Sequence, residues 1–166
     1  MNSSLTKKVD RIPNLSHEDF INNYLNAGIP VVIPDAMKEW PAFKKWDPSY
    51  FRDVLGDKIV NVQETQMVLR EFMDTVLASN ENNPSKYINE VNIHHSFKEL
   101  VPDIDPFLSY AKPDLLMTSF MPESWGMRNG VVELLIGGKG TKFHTLHYDG
   151  YHMNNFVTQI RGDKEF

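Results

Sequence analysis

A chain of 166 residues is long enough to bury one hydrophobic core and short for two, so a single domain is expected. Its 17 basic and 22 acidic residues leave a formal charge of −5, and Lys and Arg are scattered rather than gathered into a stripe, which argues against a dedicated nucleic-acid binder. The chain contains no cysteine, which excludes disulfides, thiolate metal sites and a Cys nucleophile, so a transition metal would have to be held by His and carboxylate.

Met1 to Ile12 carries Lys7, Lys8, Asp10 and Arg11 without an apolar run of secretory length. The apolar stretches Pro30 to Pro34 and Val131 to Ile136 fall far below the roughly 18 residues of a membrane span. No membrane partner is expected, and the cytoplasm is the expected compartment, with the nucleus as the open alternative.

The first helix is predicted from about His17 to Ala27: Ser16 suits the N-cap with Asp19 three positions on, Phe20, Ile21, Tyr24 and Leu25 share a face, and Gly28 suits the position just past the end. Ile29 to Pro34, a β-branched run bounded by prolines, predicts a short buried strand. Trp40, Phe43 and Trp46 cluster in a loop-like segment and read as packing anchors. Asp47-Pro48 opens a second helix with cap and first-turn residues in their preferred places, carrying Tyr50, Phe51, Val54 and Leu55 to a stop at Gly56. A strand over Ile59 to Val62, a helix over Leu69 to Leu77, an exposed loop over Ser79 to Ser85 and an extended Lys86 to Val91 follow. His94 and His95, ahead of Phe97 and Leu100, read as structural.

From Val101 to Pro122 the chain is irregular and proline-studded, as in a connecting layer. Val131 to Ile136, Thr141 to Tyr148 and Asn155 to Ile160 then read as strands separated by glycine-containing turns. Arg161-Gly162-Asp163 reads as a hairpin turn rather than an adhesion tripeptide, so Lys164-Glu165-Phe166 should begin another strand. A sheet abandoned there would leave an unpaired edge, and the expectation is a chain truncated at its C-terminus or one whose partner supplies the missing strands.

The chemistry-bearing candidate is His147-Tyr148-Asp149. Residues two apart on a strand project from the same face, so this imidazole and carboxylate can meet one cation. A triad of two histidines and one carboxylate leaves Fe(II) open positions for a chelating co-substrate and O₂. On the residues alone, a solvated strand carrying both side chains and a zinc site of His144, His147 and Asp149 remain alternatives. Gly137, Gly138 and Gly140 lack the spacing of a phosphate loop, and no Ser nucleophile elbow is present. Tyr148, Tyr151 and Trp125 read as packing aromatics.

The run from Glu133-Leu134-Leu135-Ile136-Gly137-Gly138 through Phe143-His144-Thr145-Leu146-His147-Tyr148-Asp149 to Asn155 and on to Gln159-Ile160-Arg161-Gly162-Asp163-Lys164 resembles the metal and co-substrate strands of the Jumonji-C/cupin-like hydroxylases, above all the asparaginyl-hydroxylase-like members. Gly28-Ile29-Pro30-Val31-Val32-Ile33, Trp40-Pro41 and Tyr50-Phe51 before Gly56-Asp57 are similar to that family's N-terminal region. The resemblance implies that His147 and Asp149 bind iron, that Lys164 pairs with the distal carboxylate of 2-oxoglutarate, and that Asn155 lines the same pocket. A dicarboxylate chelated to iron at its keto-acid end does leave a free carboxylate in need of a cation. Strand parity would turn Asn155, Val157 and Gln159 toward that site. The sequence departs from the family at His144, where a small hydroxyl residue is usual, and Thr145 beside it joins the co-substrate candidates. The gap from Asp149 to Asn155 is also longer than usual, and the family's second ligand His comes from a later strand that has no counterpart here.

The expected fold is therefore α+β: one domain over 1–166, with a mainly helical region over 1–125 and the first strands of an incomplete double-stranded β-helix, a cupin or jelly-roll-like barrel, over 126–166. The expected function is that of an Fe(II)- and 2-oxoglutarate-dependent dioxygenase fragment lacking the distal His and inactive alone. The alternative is an inactive cupin-like fragment or pseudoenzyme serving as an interaction module that self-associates through its sheet edge. The substrate, whether a protein side chain, a tRNA base or a small molecule, is not readable from these residues.

Overall fold

The structure, a computed structural model, describes residues 8–111, 132–143, 147 and 154–165. Two short strands open it: β1 (Asp10–Arg11) pairs in parallel with β2 (Val31–Val32), with Asp10 opposite Val31. Between them lies the first helix, begun as expected. Ser16 accepts from the Asp19 amide at 3.0 Å and donates its hydroxyl to the Asp19 carboxylate at 2.6 Å, which closes a reciprocal cap.

The helix then departs from the predicted α form. Only α1 (His17–Asp19) is α-helical, and Phe20–Leu25 continues as a π-helix whose amides reach five residues back, as Asn26 does to Ile21 at 3.0 Å. The wider turn carries Tyr24 to Asp10 of β1, where its hydroxyl donates to the carboxylate at 3.1 Å. Phe20 and Tyr24 bury against Leu15 and Tyr110 in a small satellite core. Gly28 ends the segment at φ 63, a left-handed conformation that costs glycine nothing. The strand that follows is half-buried and two residues long rather than fully buried, since β1 is its only described neighbour and Ile29 is exposed.

The main core gathers around two tryptophans. The segment read as a loop contains a turn of helix, α2 (Ala42–Lys45), which seats Trp40 and Trp46 in the interior, as packing anchors should sit. Asp47 caps α3 (Pro48–Val54) by accepting the Tyr50 amide at 2.8 Å, with proline in the first turn where no amide is needed. Phe51 and Leu55 turn inward, but Val54 faces solvent.

Strand β3 (Ile59–Val62) alternates exposed and buried side chains and pairs antiparallel with β4 (Thr65–Val68). The link is Gln63-Glu64, and Gln63 takes the left-handed turn itself at φ 58. Next comes α4 (Leu69–Ala78), which buries Leu69, Phe72, Met73 and Val76, the spacing of one helical face. The amides of Leu69 and Arg70 are satisfied by the carbonyls of Lys58 and Gly56, so backbone replaces a capping side chain.

Strand β5 (Tyr87–Asn92) runs antiparallel to β6 (Glu133–Gly137) with a register shift between Ile88 and Val91. Asn92 caps the short α5 (Ile93–Ser96), and a 3₁₀ stretch over Lys98–Ile104 places Leu100, Asp103 and Ile104 in the core. After β6 the chain turns at Gly138 to Gly140 against the Ser79–Ser85 loop. A Cβ on Gly138 would lie 2.0 Å from the Ser79 hydroxyl, so only glycine fits.

The described residues thus form a mixed α/β unit of short helices and three two-stranded sheets. Five of the six described strands precede residue 112. Residues 141–143, 155–160 and 164–165, read as strand or the opening of one, carry no strand. Strand propensity needs a backbone ladder to act on, and 154–165 is held by side chains instead: Ile160 packs on the core and Arg161 donates to the Trp46 carbonyl. Where a hairpin turn is expected the chain bends at Gly162, φ 72, between segments that carry no strand. Among the described residues no helix is long and apolar enough to cross a membrane.

Candidate functional site

Tyr87, first residue of β5, organises the site. The sheet register sets it opposite Gly137 of β6, where a Cβ would come within 2.7 Å of the tyrosine ring. Glycine at that position lets the ring lie against the neighbouring strand. The edge of Tyr87 meets Phe143 at 5.7 Å between centroids and 86°, and Phe143 in turn packs against the imidazole of His147 at 4.9 Å. The Lys164 ammonium lies at the hydroxyl end of Tyr87, 3.5 Å from the phenolic oxygen and 5.9 Å from the ring centroid.

His147 and Lys164, singled out from the sequence, are therefore brought to one aromatic wall by two residues the sequence did not single out. Tyr87 carried no local signal because its role depends on the pairing of β5 with β6. His147 and Lys164 are both exposed. Asp149 and Thr145, the second metal candidate and a co-substrate candidate, lie outside the described residues, as do His144 and His152.

Asn155 is exposed and precedes Phe156, which packs against Phe20 at 5.7 Å. Asn155, Val157 and Gln159, the set expected to face the site, are exposed like His147 and Lys164, whereas Thr158 and Ile160 are half-buried. Ile160 packs against the main core.

The donor set suits a metal beside a dicarboxylate. An imidazole nitrogen binds a divalent cation, while an ammonium and a phenolic hydroxyl both donate to a carboxylate. Among the described residues no three His, Asp or Glu side chains converge on a common point. His94 and His95 stand apart in α5, where His94 is half-buried with its Nε2 sealed from solvent and His95 is exposed.

Comparison with known proteins matches residues 17–166 to the cupin-like domain family. The chain is 31% identical to JmjC domain-containing protein D of Dictyostelium discoideum, over 96% of this chain and 38% of that protein. It is 25% identical to lysine-specific demethylase JMJ32 of Arabidopsis thaliana, over 98% of this chain and 51% of the relative. It is 22% identical to the human bifunctional peptidase and (3S)-lysyl hydroxylase JMJD7, over 95% and 52%. The chain spans about two fifths to a half of the length of these three relatives. With a family match running from α1 to the last residue, this chain belongs to the cupin-like, Jumonji-C family.

Proposed function

We propose that the chain supplies the metal and co-substrate site of an Fe(II)- and 2-oxoglutarate-dependent oxygenase, built on the opening strands of a double-stranded β-helix. The observation that carries this reading is the convergence of His147 and Lys164 on Tyr87 and Phe143. When bound, iron supplies the redox chemistry that couples decarboxylation of 2-oxoglutarate to oxidation of a substrate.

The chain's own residues do the rest. His147 and Asp149 hold the metal, two of the three protein ligands of the triad, and the Phe143 ring fixes the plane of the imidazole. Lys164 and the Tyr87 hydroxyl take the distal carboxylate of the co-substrate through charge-assisted hydrogen bonds, and Asn155 and Thr145 complete that pocket.

The relatives' names extend the proposal to the substrate class. A lysine-specific demethylase, an arginine-specific demethylase and a (3S)-lysyl hydroxylase all name amino-acid side chains, which favours a polypeptide over a tRNA base or a free small molecule.

Anaerobic titration with Fe(II) and 2-oxoglutarate tests the site directly. The expected result is the weak visible charge-transfer band of a chelated keto acid, lost in His147→Ala. A band of equal strength in His147→Ala, or none in the wild-type protein, would overturn the assignment.

A further inference from the structure

Resting on that reading of Lys164, the structure carries one more role. The segment bearing Lys164 pairs with no strand among the described residues, yet it is fixed at a second point three residues earlier. Arg161 donates its Nε–H to the carbonyl of Trp46 at 2.8 Å. Trp46 is itself immobilised, since its indole N–H donates to one oxygen of Asp103 at 2.9 Å while Lys45 donates to the other at 2.5 Å. Trp46 is 4% exposed and Asp103 3%.

The geometry of the acceptor explains why a guanidinium sits there. Trp46 is the C-cap of α2, so its carbonyl has no intrahelical amide to accept from and takes the guanidinium N–H instead. Ile160 adds an apolar anchor on the preceding residue, and the Gln159 amide closes the turn by donating to the Arg161 carbonyl at 2.6 Å. Beyond Arg161 the chain bends at Gly162, φ 72, and returns Lys164 to Tyr87.

We infer that Arg161 is a positioning residue for the co-substrate: through Trp46 and Asp103 it ties the Lys164 segment to the helical core and sets the ammonium beside the Tyr87 hydroxyl. Three residues reach roughly 10 Å when extended, so releasing the Arg161 anchor frees the lysine to sweep well past hydrogen-bonding distance. Restoring its position on binding then costs backbone and side-chain entropy that the wild-type protein does not pay.

The test compares two keto acids that chelate a metal identically but differ at the far end. Calorimetric titration of the full Fe(II)-loaded chain under anaerobic conditions with 2-oxoglutarate and with pyruvate gives a preference ratio that reports the distal carboxylate alone. Arg161→Met is expected to lower that ratio about tenfold, through weaker 2-oxoglutarate binding, with Fe(II) and pyruvate affinities held within about twofold. Arg161→Lys, which keeps a cation for the same carbonyl, should recover most of the preference. In a Lys164→Ala background the Arg161 substitution should add nothing, because its effect passes through the lysine.

Equal weakening of Fe(II), pyruvate and 2-oxoglutarate would show a merely structural role and overturn the inference, as would an unchanged ratio. A ratio insensitive to Lys164→Ala sinks the co-substrate reading itself and the inference with it, and is told apart by that single variant. Should Arg161→Met fail to fold, Arg161→Leu, which also lacks a donor, gives the same readout.

Discussion

Trp46 donates its indole N–H to Asp103, 57 positions away in sequence, at 2.9 Å, and the two residues join α2 to the 3₁₀ stretch that closes the core. Asp103 is the one buried charged residue among those described, and its second partner, Lys45, keeps 49% of its side chain in solvent. Removing the carboxylate therefore strands a buried indole donor while the ammonium returns to water. Asp103→Ala is expected to cost about 1–3 kcal/mol, the penalty of one orphaned donor, rather than the larger penalty of an uncompensated buried charge. Asp103→Asn, which still accepts from Trp46, should cost less. Urea denaturation with unchanged m-value measures both, and an Asp103→Ala protein as stable as wild type would refute the account.

Two ion pairs bracket the pH range of full stability. The Lys58 ammonium donates to Glu99 at 2.8 Å and holds that carboxyl below its usual value. A depressed carboxylate contributes stability above its unfolded value, about 4.3, and loses it as pH falls through the lower folded value. Lys45 is shifted the other way, raised by its hydrogen bond to Asp103. Its contribution is complete below the unfolded value of about 10.4 and fades as pH rises through the folded one. Glu99 is 41% exposed, so solvent screening holds its share to a few tenths of a kcal/mol, about what surface pairs give. Melting temperatures of Glu99→Gln and wild type should converge as the medium is acidified below about pH 4 and separate at neutrality. Parallel curves throughout would count against the pair.

Local physics was readable and long-range pairing was not. The caps at Ser16 and Asp47 and the apolar face of α4 involve residues within a turn or two of one another, so their chemistry is written contiguously. Strand β4 went unread because Gln63-Glu64 is not a customary turn pair, and Gln63 adopts the left-handed conformation only under the pull of the β3 ladder. The burial of Asp103 was equally hidden, since its partners stand 57 and 58 positions away. At the site, the candidates His147 and Lys164 were found from their pattern, whereas Tyr87 required the β5–β6 register. The strand expected over Asn155 to Ile160 failed for the converse reason: its alternating residues had no described ladder to join.

The interior of α4 sets the scale of core stability. Phe72 is 1% exposed, and Phe72→Ala removes a full ring from a packed environment, at an expected cost of about 3–5 kcal/mol. Leu77 lies on the opposite face at 52% exposure, and Leu77→Ala is expected to change stability by no more than about 0.5 kcal/mol. Both substitutions delete apolar carbon from the same helix, so denaturant midpoints of similar size would contradict the orientation of α4.

Tyr87 contributes two separable things to the proposed pocket, a hydroxyl beside Lys164 and a ring against Phe143. Tyr87→Phe keeps the ring, and with it the wall beside His147. It is expected to weaken 2-oxoglutarate binding by about 10- to 100-fold, one hydrogen bond to a charged group, while Fe(II) affinity stays as in wild type. Gly137→Ala attacks the other contribution: its new methyl would meet the Tyr87 ring at 2.7 Å and push it off β6 toward Phe143. That displacement should disturb His147 as well, lowering Fe(II) and 2-oxoglutarate affinities together. Calorimetry on both variants separates the two effects. If Tyr87→Phe reduced metal binding as much as co-substrate binding, the hydroxyl would belong to the support of His147 rather than to the anion, and the division of labour around Tyr87 would have to be redrawn.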